Sequence, residues 1–184
     1  MKRVVLLLVF LAINVFAMAQ DTIKIKGVPV QSKFNTFVRE IKNKGFEAVF
    51  ENDECIVLNG KFIDEDCSLI IQNSGGNISN IIIVIKKDYS MWSSMKGKYE
   101  DIVELFTKKF GKPGNVVERY ESPFEKGDGY EMTALKSGKL VCASYFYIGD
   151  YIISIGTTKE CNIMIGYTNK KMLDNKQEQR INDI

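Results

Sequence analysis

The 184-residue chain contains no histidine. That one absence removes Ser–His and Cys–His nucleophile pairs, histidine metal sites and the commonest general base together. A charge of one sign is missing too: 25 basic residues stand against 23 acidic ones, and loss of Lys2 and Arg3 with an N-terminal leader would bring the two counts level. A chain so balanced lacks the electrostatic footprint of a nucleic-acid binder. Phosphate-binding loops are also missing. Gly75-Gly76 and Gly127-Asp128-Gly129 have no Lys-Ser/Thr pair opening a helix, so no nucleotide or other cofactor is expected.

The single long apolar run, Val4 to Phe16 with Asn14 its one polar member, follows Lys2-Arg3 and precedes Ala17-Met18-Ala19. This is the pattern of a secretory leader over residues 1–19, cut before Gln20. The run is short for a membrane span, and no cysteine stands at the cut to carry a lipid anchor. A periplasmic or secreted protein with no membrane span after leader removal is expected.

Export bears on the cysteines. Cys55, Cys67, Cys142 and Cys161 form an even set that an oxidising compartment could join as two disulfides, with three possible connectivities. The local pairing, Cys55 with Cys67 and Cys142 with Cys161, is the first to test. Strict alternation through a hairpin at Asp64-Glu65 would put Cys55 and Cys67 on opposite faces, and buried unpaired thiols are the alternative.

Among what is present, Trp92 to Pro113 is the most legible stretch. Met95, Tyr99, Ile102, Val103, Phe106 and Phe110 recur at three- and four-residue steps, so they share one stripe of an amphipathic helix. Ser93 or Ser94 is the expected cap, and Gly111 with Pro113 the stop. A shorter helix is predicted over Phe34, Phe37, Val38 and Ile41, capped by Ser32 and ended at Lys44-Gly45. A half-buried strand precedes it over Thr22 to Val30.

Strands are predicted over 46–50, 54–63, 66–72 and 79–86 after the first helix, and over 116–120, 129–136, 139–148, 151–157 and 162–167 after the second. Helix followed by antiparallel meander thus occurs twice. The reading is an α+β protein of two such repeats, 20–90 and 91–167, with both helices on one side of antiparallel sheet and a mobile charged tail over 168–184.

The Ile25 to Pro29 strand, Lys44-Gly45-Phe46, Gly60-Lys61-Phe62 with Cys67 after it, and Trp92-Ser93-Ser94 leading to Phe110-Gly111-Lys112-Pro113 carry a resemblance. The chain resembles small exported proteins of Gram-negative gut bacteria, whose helix-plus-meander repeats are similar in outline to β-lactamase-inhibitor-protein-like and outer-membrane-assembly-lipoprotein-like folds. The resemblance implies a fold and an export route, and no reaction.

Acidic clusters at Asp64-Glu65-Asp66 and at Glu125, Asp128 and Glu131 lack calcium-loop spacing and read as polar turns, with no metal expected. Pairing Ile148 with Tyr151 puts Leu140, Cys142, Ser144 and Phe146 on one face, toward the helix. Tyr145, Tyr147 and Ile152 then fall on the other, with Tyr130 and Met132 from the preceding strand as candidates beside them. Asp21-Thr22-Ile23 resembles a short bacterial O-glycosylation acceptor at Thr22. The function expected is an exported, non-enzymatic binding module of the cell envelope. It would recognise a protein or envelope component through an exposed sheet face. The alternatives are a secreted inhibitor of an extracellular enzyme and a carboxylate- or metal-dependent hydrolase.

Overall fold

The computed structural model describes residues 22–172; the expected leader over 1–19 and the expected tail beyond Met172 lie outside them. The chain opens with a small separate hairpin, β1 (Lys24–Ile25) and β2 (Val28–Pro29), in place of the one strand expected there. Lys26 and Gly27 make its turn, both with positive φ. Helix α1 (Phe34–Lys42) follows, and Phe34, Phe37, Val38 and Ile41 are its buried residues.

The cap of α1 differs from the sequence expectation. Its N-cap is Lys33 and makes no side-chain bond; the Phe34 amide donates to the Gly76 carbonyl at 3.0 Å instead. A loop distant in sequence supplies the acceptor that a capping serine would otherwise provide.

Strands β3 (Glu47–Glu51), β4 (Cys55–Phe62), β5 (Glu65–Ser74) and β6 (Asn77–Ile85) form a meander. The long helix α2 (Trp92–Phe110) has Met91 as N-cap, again with no side-chain bond, and ends at Gly111, whose φ of 83° suits glycine. Strand β7 (Asn115–Tyr120), helix α3 (Glu131–Lys136), β8 (Leu140–Ile148), β9 (Tyr151–Thr157) and β10 (Ile163–Asn169) complete the described chain. Strand β10 runs two residues into the expected tail.

Helix α3 overturns the strand predicted over 129–136. Glu131, Met132, Ala134, Leu135 and Lys136 are all good helix formers, and Ala134 and Leu135 go to the core. Asp128 fixes the start, its Oδ1 accepting from the Tyr130 amide at 2.7 Å and its Oδ2 from the Glu125 amide at 2.9 Å.

Strands β3 to β10 make one antiparallel sheet in the order β3-β4-β5-β6-β10-β9-β8-β7. Direct pairing sets continuous rows across it. Leu58, Leu69, Ile83, Ile165, Ile155 and Ser144 form one inner row, and Ile56, Ile71, Ile81, Tyr167, Ile153 and Phe146 the next; all are buried. Removing such rows from water is the main driving force for the fold. Helix α2 lies on them, with the Phe106 ring 6.1 Å from Phe146 and 6.4 Å from Tyr167. The β3 edge carries Glu47 and Glu51 and a register shift between Ala48 and Phe50, both devices that discourage further strand addition.

No cysteine is bonded. Cys55, Cys67, Cys142 and Cys161 are free thiols, so the disulfide expectation is corrected. Cys55 pairs with Gln72 and Cys67 with Gly60, on opposite faces and five residues apart along the ladder, roughly 17 Å at 3.4 Å per residue. That is far beyond disulfide reach. Burial also pushes the Cys67 thiol up to about 11. Alkylation of the native protein at neutral pH is therefore expected to label half-exposed Cys55 first. Cys67, Cys142 and Cys161 should follow only in denaturant without reductant, and an intact mass showing fewer than four adducts then would contradict free thiols.

Candidate functional site

The sheet's other face is built from the alternate residues. One row runs Val57, Ile70, Ile82, Gly166, Ser154, Tyr145 and Asn115; a second runs Asn59, Ser68, Val84, Met164, Gly156, Ala143 and Val117. A third runs Cys55, Gln72, Asn80, Thr168, Ile152 and Tyr147. The rows from Val57 to Asn115 and from Cys55 to Tyr147 carry no charge, whereas the Asn59 row is charged at its β3 end, where Glu47 pairs with Asn59 and Lys86 Nζ donates to Asn59 Oδ1. Most residues of the three rows are half-buried, and Tyr147 is 51% exposed.

The relief of this face comes from its small residues. A Cβ placed at Gly166 would stand 2.7 Å from Ser154 Oγ, so the serine already fills the space above the glycine. One at Gly114 would stand 2.6 Å from the Tyr147 ring, and the Gly114 amide donates to the Tyr145 carbonyl at 2.8 Å. Lys170 Nζ lies 5.8 Å from the Tyr147 ring centre. Tyr147 is thus flanked by the chain at Gly114 and by the Lys170 cation.

The residues singled out in the sequence divide accordingly. Tyr145 sits opposite Ser154 and Tyr147 opposite Ile152, so these two tyrosines and Ile152 share the outer face. Tyr130 and Met132 belong to α3 and its N-cap rather than to a strand, so neither extends a sheet row; Tyr130 is exposed and Met132 packs partly on the core. Thr22 is exposed and lines a recess with Gln31, Tyr147, Asp150 and Tyr151.

No family model, curated protein or solved structure matches this chain. Its chemistry is read from its own residues.

A second feature lies on the inner face, under α2. Lys96 Nζ donates to Glu118 Oε2 at 2.9 Å, approaches Glu100 at 3.7 Å, and lies 3.6 Å from Cys142 Sγ. Beside it, Tyr99 Oη and Ser144 Oγ share a buried hydrogen bond of 2.7 Å. Burial works against the Lys96 cation, but the bond to Glu118 and the nearby partial charges outweigh it, so its pKa lies above the ordinary lysine value. Burial raises the Cys142 thiol as well and pushes Tyr99 up to about 12. Near neutrality the lysine is charged, the thiol neutral and the phenol protonated. None is in the ionisation state of a nucleophile or base.

Sequence reasoning passed over this cluster, though its signal was present. Ser144 is the polar member of an apolar row, and Lys96 is one turn from both Trp92 and Tyr99 on the helix stripe.

The acidic clusters are structural. Glu65 accepts from Lys98 at 2.6 Å, with Lys87 at 3.7 Å, and the Lys98 bond holds its carboxyl below the ordinary range. The Asp128 side chain closes the loop before α3, and Glu131 Oε1 accepts from the Gly127 amide at 3.1 Å. Among the described residues no group of three or more acidic or cysteine side chains is arranged to hold a metal.

Proposed function

We propose that this is an exported, non-enzymatic binding module of the cell envelope, recognising a protein or an envelope component through the outer face of its sheet. The observation that carries the reading is the charge-free tract from Val57 to Tyr145 and Tyr147. Interface centres are depleted in charge and enriched in tyrosine and methionine, and this tract combines Tyr145, Tyr147 and Met164 with Ile70, Ile82 and Val84. The ionisation states of Lys96, Cys142 and Tyr99 favour binding over nucleophilic chemistry.

We also infer the duplication. Each half is a helix followed by four strands, each helix ends near a positive-φ glycine, Gly45 or Gly111, and the halves meet at β6 and β10. Helix α3 is then an insertion peculiar to the second half. Phe46, which follows α1, has its ring against Gly60 on the face that α2 covers, which supports both helices lying on one side. The likeness in outline to β-lactamase-inhibitor-like and outer-membrane-assembly-lipoprotein-like folds rests on the same two-unit arrangement.

The test is recovery of partners from the envelope fraction with wild type and with Tyr145→Ala/Tyr147→Ala. Both side chains are at least partly exposed, so the variant should stay within about 1 kcal/mol of wild type in stability while partner recovery falls about tenfold or more. Equal recovery would remove the outer face from the reading.

A further inference from the structure

We propose a binding site for a dianionic phosphate ester at the end of the sheet where β4, β5 and β6 meet the β1–β2 turn. Lys26, Lys44, Lys86 and Asn59 line a recess of about 620 Å³ there, with Cys67 at its wall. Asn59 belongs to the outer sheet face, but four strands separate it from Tyr145 and Tyr147 on β8, and the site does not depend on that reading.

The three lysines arrive from segments remote in sequence: the β1–β2 turn, the α1–β3 connection and the residue after β6. None of them has a carboxylate within 4 Å among the described residues, whereas Lys61, also on the rim, lies 3.8 Å from Asp66. With that pair set aside, Glu47 is the remaining carboxylate in the recess. Three ammonium groups against one carboxylate leave two positive charges. That surplus matches a phosphate monoester and exceeds what a simple carboxylate would neutralise.

The neutral donor is Asn59. Its Oδ1 already accepts from Lys86 Nζ at 2.9 Å and from Ser68 Oγ at 2.9 Å, which assigns the oxygen and leaves the NH₂ as a donor with no acceptor among the described residues.

Lys26 supplies the independent sign of selection for something other than folding. It occupies the left-handed region at φ 51°, in a two-residue turn where asparagine or glycine is the unstrained choice. Proximity to the end of α1 accounts for a cation at Lys44 and the bond to Asn59 Oδ1 for one at Lys86, but nothing in the local structure calls for one at Lys26.

The test is titration of the isotope-labelled protein with phenyl phosphate, read by amide shifts. A parallel arm uses vesicles of phosphatidylcholine with or without phosphatidic acid. Saturable shifts clustered at Gly45, Gly60 and Cys67 are expected at about 1 mM or below, weakening with salt. Lys26→Gln/Lys86→Gln should lose about tenfold or more in affinity. Lys136→Gln/Lys159→Gln, on a different recess, should match wild type. All four side chains are exposed, and unchanged thermal unfolding checks that each variant folds. Binding of phenyl phosphate identifies a soluble ester, and binding confined to phosphatidic acid vesicles and lost in the first variant identifies a lipid-borne one. Absence of binding in both arms, shifts scattered over unrelated lysines, or equal affinity in the first variant would overturn the proposal.

Discussion

Phe146→Ala is expected to destabilise the protein by about 3–5 kcal/mol, the cost of a large cavity in a close-packed core. Phe146 is 1% exposed and lies in the inner row with Ile153, Tyr167 and Ile81. Phe106 of α2 rests against it at 6.1 Å and touches Phe110 at 5.8 Å and Tyr167 at 6.4 Å, so the residue also anchors the C-terminal half of the helix. At roughly 2–4 °C per kcal/mol, the thermal midpoint should fall by about 6–20 °C. Phe146→Leu, which keeps most of the volume, should cost about 1–1.5 kcal/mol. Urea unfolding of the pair checks both values. A loss below about 1 kcal/mol for the alanine variant would mean that α2 does not close over this row.

Much of this architecture was legible because the local patterns agree with the global fold. The three-and-four spacing from Met95 to Phe110 required a helix with one apolar stripe, and Ile81 to Ile85 required a strand, of which Ile81, Ile83 and Ile85 are buried while Ile82 and Val84 stay half-buried on the outer face. Parity alone put Tyr145 and Tyr147 away from the helix. Parity failed at residues 131–136, where Met132 and Ala134 follow the more polar Glu131 and Thr133 as in a strand, yet all but Thr133 are good helix formers. Six residues are too few for periodicity to decide against propensity. The caps were misread for a different reason: Gly76, from a distant turn, satisfies the amide that Ser32 was expected to cap.

The charge-free face was not legible, because it exists only once β6 pairs with β10 across a long stretch of chain. No local signal specifies that pairing. The same holds for Lys26, Lys44 and Lys86, each an unremarkable surface lysine in sequence and neighbours only in the folded chain. Features confined to one element could be read directly. Those made by joining elements needed the topology.

Glu118→Leu should cost about 2–3 kcal/mol, whereas the double variant Lys96→Met/Glu118→Leu should recover most of that loss. The side chains are 20% and 22% exposed, so removing the carboxylate strands a largely shielded ammonium beside Cys142 and the rings of Trp92 and Tyr99. Breaking one half of a shielded pair leaves an uncompensated charge; replacing both halves with apolar groups removes the desolvation cost along with the attraction. Glu100 at 3.7 Å softens the single variant only slightly, since it is mostly exposed and screened. The pair also gives a signed pH dependence. The Lys96 hydrogen bond holds the folded Glu118 carboxyl below its ordinary 4.5. Its contribution is therefore complete above the unfolded value and is lost as pH falls through the lower folded one. Glu118→Gln should flatten the decline in stability below about pH 4.5 without abolishing it, because Glu65, lowered mainly by Lys98, titrates in the same direction. Denaturant unfolding across pH 3–7 reads both effects, and with Lys96→Met closing the cycle, a double-variant loss equal to the sum of the two single losses would show that Lys96 and Glu118 are not coupled.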